Sequence, residues 1–79
     1  MTLITTVTSS RTVEIQTDPL APPLLVTRAA LVAASRRAQS SATGLANVSG
    51  RFPHGGAGLV TLDEGQISEL IEDLNRAAS

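Results

Sequence analysis

The sequence predicts an α+β domain in which a small antiparallel sheet, made of an N-terminal hairpin plus a third strand, is covered by two helices in the order ββαβα. Three observations predict it. Thr12 to Thr17 alternates polar and apolar side chains at the period of a strand. Arg28 to Gln39 is rich in alanine, which loses no side-chain entropy on entering a helix. Ile67, Leu70, Ile71 and Leu74 recur at i, i+3, i+4 and i+7, the spacing of one helix face. The length of 79 residues leaves room for one domain, taken here as 1–79.

The hairpin is expected over 1–17. In its first arm Leu3, Thr5 and Val7 share a face, and in its second Val13 and Ile15 point inward while Glu14 and Gln16 face water. Pro19, Pro22 and Pro23 remove backbone donors and stop the second strand. A helix over 23–39 follows, starting either at Pro23 or after Thr27 acting as an N-cap, with Arg36 and Arg37 near its C-terminal end, where positive charge complements the helix dipole. The segment 40–58 turns to Ser, Thr, Asn, Gly and Pro and reads as a loop, with a short strand near Leu45 to Val48 or Arg51 to Phe52 as the other reading. A strand is expected over 57–62. The amphipathic helix over 62–77 then starts with Thr61 and Glu64 at capping-box spacing.

Composition limits the core. Of the 42% hydrophobic residues, eleven are Ala, and Phe52 is the only aromatic. A domain this small commonly gains stability from disulfides, a metal or a partner chain. There is no Cys, and the lone His54 cannot make a zinc site, so no metal or cofactor is expected. Self-association is the remaining remedy, and a homo-oligomer is expected through the stripes Leu31, Ala34 and Ala38 on the first helix and Ile67, Leu70, Ile71 and Leu74 on the second.

Charge is uneven. Residues 1–60 carry five Arg against Glu14 and Asp18, for +3, and residues 61–79 carry five acids against Arg76, for −4, which gives the net −1. That total argues against nonspecific nucleic-acid binding, which needs clustered cations to neutralise phosphates. No stretch has the length or hydrophobicity of a membrane span or a signal peptide, and a cytoplasmic location is the expectation.

Catalytic groups are few. Without Cys, Lys, Tyr or Trp, thiol, Schiff-base and phenol chemistry are absent, and no enzyme is expected. The glycine cluster Gly55-Gly56-Ala57-Gly58 precedes a strand, the reverse of the order in a phosphate loop. What remains is a cationic set, Arg36, Arg37, Arg51 and His54, which would hold an anion if the loop folded back over the helix.

Val60-Thr61-Leu62-Asp63-Glu64, followed by Leu70, Leu74 and Ala77-Ala78, resembles a strand-to-helix ending of short proteins of actinobacteria and their phages. The resemblance implies no activity. The expected function is that of a small noncatalytic homo-oligomeric binding protein, encoded by a phage or mobile element, that sequesters or blocks a protein partner. The alternatives are an oligomer holding an anionic nucleotide at a subunit boundary and a small DNA-binding regulator.

Overall fold

Where polar and apolar residues alternate, the chain is extended, and it does so five times rather than three. The computed structural model describes residues 3–78; Met1 and Thr2, which the expected hairpin includes, and Ser79 lie outside the described residues. The elements are β1 (Ile4–Val7), β2 (Thr12–Gln16), β3 (Leu24–Thr27), α1 (Arg28–Ser40), β4 (Leu45–Arg51), β5 (Ala57–Asp63) and α2 (Glu64–Ala78). The class is α+β, and the order is βββαββα in place of ββαβα. The sheet runs β1-β2-β3-β4-β5 with every neighbouring pair antiparallel, so it is a meander with α1 inserted between β3 and β4.

Two strands correct the sequence reading. Of the two starts expected for the first helix, Pro23 or the residue after Thr27, the structure has the second: α1 starts at Arg28, because Leu24 to Thr27 alternates buried and exposed side chains, with Leu24 and Val26 in the core. Thr27 is the N-cap: its backbone is extended (φ −87°, ψ 157°), and its side chain accepts a hydrogen bond from Ala30 N–H. The segment 40–58, expected as a loop with a short strand near Leu45 to Val48 or Arg51 to Phe52 as the other reading, contains the longer β4, whose Ala46 and Val48 point inward and whose Asn47 and Ser49 point out. β4 pairs with β5 along its whole length, from Leu45 opposite Asp63 to Arg51 opposite Ala57.

The start of α2 also differs in detail. Gln66 N–H donates to Asp63 Oδ1 at 2.8 Å, and Asp63 N–H donates to Gln66 Oε1 at 3.0 Å. The reciprocal cap therefore sits two residues later than the expected Thr61 and Glu64 pair. Thr61 is still in the strand, where its hydroxyl donates to Asn47 Oδ1 at 2.7 Å.

Both helices cover the same sheet face. Val13, Ile15, Leu24, Val26, Ala46, Val48, Val60 and Leu62 form one cluster with Leu31, Ala34 and Ala38 of α1 and Ile67, Leu70 and Leu74 of α2. A fully buried aliphatic side chain contributes about 1.5–3 kcal/mol over an exposed one, and Ile15, Leu31, Leu62, Ile67 and Leu74 are, with Val13, Val26 and Val48, the largest that are fully buried. Here the interface expectation is corrected. Leu31, Ala34, Ala38, Ile67, Leu70 and Leu74 are at most 4% exposed within one chain, and Ile71 is partly buried against the same core. A side chain already sealed in its own chain has no area to give a second copy, so these residues are core.

Among the described residues, no helix packs on the opposite face of the sheet. Leu25, Leu45 and Leu59 are exposed there among Thr, Ser, Asn and charged side chains. Among the described residues, no helix is long and apolar enough to cross a membrane.

Candidate functional site

Two junctions that lie far apart in sequence meet at one end of the sheet. Because Thr12 is the register partner of Thr27, the turn before β2 lies beside the start of α1. Arg28 N–H donates to Arg11 O at 2.7 Å and fixes the contact. The turn is braced from within: Arg11 N–H donates to Ser9 Oγ at 3.2 Å, and the Thr12 hydroxyl lies 2.7 Å from both the Thr8 and the Ser9 hydroxyl.

From that junction α1 presents Arg28, Val32 and Arg36 in one row at four-residue spacing, with Ala29 and Ala33 in the next. These residues, with Arg11, Thr12 and Thr27, line an open depression of about 710 Å³. Its surface is mostly apolar, and three arginines, Arg11, Arg28 and Arg36, are among the residues that line it. No acidic residue lines it, and the first turn of α1 contains none. Among the described residues the salt bridge formed is Arg76 with Asp73 on α2, so no contact ion pair neutralises Arg11, Arg28 or Arg36. The positive end of the α1 dipole adds to the same field.

The four cations singled out in the sequence are placed separately. Arg36 lines this depression. Arg37, its neighbour, turns to the sheet and donates to Asn47 O at 2.7 Å. Arg51, at the end of β4, lines a different and smaller depression with Glu14, Pro23, Leu25, Phe52 and Pro53. His54 sits in the β4–β5 turn, its ring stacked on Phe52 at a centroid distance of 5.4 Å and its Nδ1 accepting from Gly56 N–H at 3.2 Å.

Arg11 and Arg28 were not singled out by sequence. The spacing of Arg28, Val32 and Arg36 was a usable signal for part of the site. Arg11 reaches it only through the pairing of β2 with β3. Among the described residues, no group of three or more His, Asp or Glu side chains is placed to share a metal ion. Compared with known proteins, the chain matches no family model, no curated protein and no solved structure.

Proposed function

We propose that this chain is a small noncatalytic binding protein that sequesters a phosphate-bearing small molecule, a nucleotide in the simplest case, in the depression between the turn before β2 and α1. The observation that carries the reading is that Arg11, Arg28 and Arg36 line one depression together with Ala29, Val32 and Ala33. Guanidinium forks match phosphate oxygens in bidentate geometry, and they remain charged at any pH a protein tolerates. The aliphatic strip gives the flat body of a base a surface to cover. The volume of about 710 Å³ is within the range of small-molecule sites. This takes up the anionic-nucleotide alternative of the sequence analysis with a changed residue set: Arg36 is shared, and Arg11 and Arg28 stand in place of Arg37, Arg51 and His54.

Calorimetric titration with mono-, cyclic and dinucleotides, with inorganic phosphate as the control for the phosphate alone, tests this. One nucleotide class should bind and raise the melting temperature by linkage. Arg11→Ala and Arg36→Ala should each weaken it by about tenfold or more, since a charge-assisted hydrogen bond contributes about 1.5–3 kcal/mol. Arg51→Ala should leave it unchanged. If no nucleotide binds, or if neither Arg11→Ala nor Arg36→Ala alters binding, the reading is wrong.

A further inference from the structure

The outer edge of β5 carries unpaired backbone groups in a pattern that one particular partner fits. In an antiparallel ladder, hydrogen-bonded and non-bonded residue pairs alternate. At one end of the β4–β5 ladder Phe52 N–H donates to Gly56 O at 2.8 Å, and at the other Glu64 N–H donates to Gly44 O at 3.0 Å. Counting in from both ends, Gly58, Val60 and Leu62 exchange bonds with β4, and Ala57, Leu59, Thr61 and Asp63 do not. Two side-chain contacts agree with this count. Asn47, opposite Thr61, gives its carbonyl to Arg37, and Asp63 gives its N–H to Gln66.

The amides and carbonyls of Ala57, Leu59 and Thr61 therefore point away from β4, and β5 is the last strand of the sheet. The strand has no Pro or Lys, the residues that commonly blunt such an edge. Leu59, the middle one of the three, is 67% exposed.

We propose that two copies of this chain join antiparallel through β5 into one continuous sheet, with a two-fold axis at Leu59. This register sets Ala57 against Thr61 of the second copy, Leu59 against Leu59, and Thr61 against Ala57. Each of the three pairs exchanges two hydrogen bonds, which uses the free groups of all three residues and leaves the Asp63 cap intact. The two Leu59 side chains then cover each other on the helix-free face. Carried two residues further, the same register brings Asp63 and Glu64 level with Gly55 and His54 of the second copy, at the end of the sheet where Arg51 also lies. Asp63 and Glu64 thus approach, twice by symmetry, the end of the second copy that carries Arg51. The nucleotide reading is independent of this pairing, since β5 does not line that depression.

Sedimentation of the full chain at micromolar concentration, together with two substitutions at one position, tests the pairing. The wild type should sediment at twice 8.1 kDa. Leu59→Lys opposes two like charges across the axis and should weaken association by about tenfold or more with an unchanged circular-dichroism spectrum. The chain has no Cys, so Leu59→Cys introduces a single thiol. Opposed Cα atoms in such a pair lie about 5.5 Å apart, inside the disulfide range of about 4.4–6.8 Å, so mild oxidation should cross-link it. Leu25→Cys, on the same face but in the central strand, should not cross-link. A monomeric wild type, or a Leu59→Cys chain that fails to cross-link while the wild type is dimeric, overturns the proposal.

Discussion

The Arg37 guanidinium donates a 2.7 Å hydrogen bond to the carbonyl oxygen of Asn47, tying the last turns of α1 to a strand that has outrun its neighbour. β3 ends at Thr27, and the pairing of Leu25 with Arg51 places Asn47 beyond that end. On that side Asn47 has no strand to accept from, and Arg37 supplies the donor.

Replacing Arg37 by Ala should therefore destabilise the fold by about 0.5–1.5 kcal/mol, a modest loss because water reaches the exposed carbonyl. Urea denaturation measures it. Arg36→Ala should leave stability nearly unchanged, which separates the structural arginine from the proposed ligand-binding one.

The cap of α2 separates two neighbouring positions in the same way. Asp63→Ala removes the acceptor for Gln66 N–H and should cost about 1 kcal/mol. Thr61→Val removes a cross-strand contact and leaves the cap in place. Amide exchange at Gln66 should accelerate in the first variant and not in the second.

Gly50 is fixed by space. A Cβ there would lie 2.5 Å from the Leu25 carbonyl oxygen and 2.9 Å from Leu24 Cγ, so β3 and β4 approach closely only because the position is bare. Gly50→Ala should cost about 1–3 kcal/mol in chemical denaturation, the range for overpacking a filled site.

Leu31 and Leu74 are fully buried where α1 and α2 close over the sheet. Leu31→Ala or Leu74→Ala should lower stability by about 2–5 kcal/mol. In protein that remains folded, the dimer dissociation constant read by sedimentation should stay within a factor of about two, because neither side chain reaches the β5 edge.

The helices and the core stripes were legible in the sequence because their periodicity is local. Ile67, Leu70 and Leu74 mark α2 from within one short window, and they are buried as that spacing implies. β3 was not legible: Leu24-Leu25-Val26-Thr27 after two prolines suits a helix start as well as a strand, and only its pairing with β2 decides. β4 has weak strand character of its own, since Ala46, Asn47, Ser49 and Gly50 have little β-propensity, and it is extended because β5 and α1 hold it. The expectation that the stripes needed other copies underestimated how completely two helices cover a narrow sheet of small residues. For the candidate site, Arg36 was visible from its place on α1. Arg11 was not, because it approaches Arg28 through a strand register that no local pattern encodes.

The most direct test of the arginine-rimmed depression is to follow backbone amide resonances during titration with nucleoside mono-, cyclic and diphosphates. Binding there should shift the amides of Arg11, Thr27, Arg28, Val32 and Arg36 together, with one dissociation constant, and leave those of Arg51 and His54 in place. Unchanged spectra at saturating nucleotide, or shifts confined to the β4–β5 turn, would contradict it.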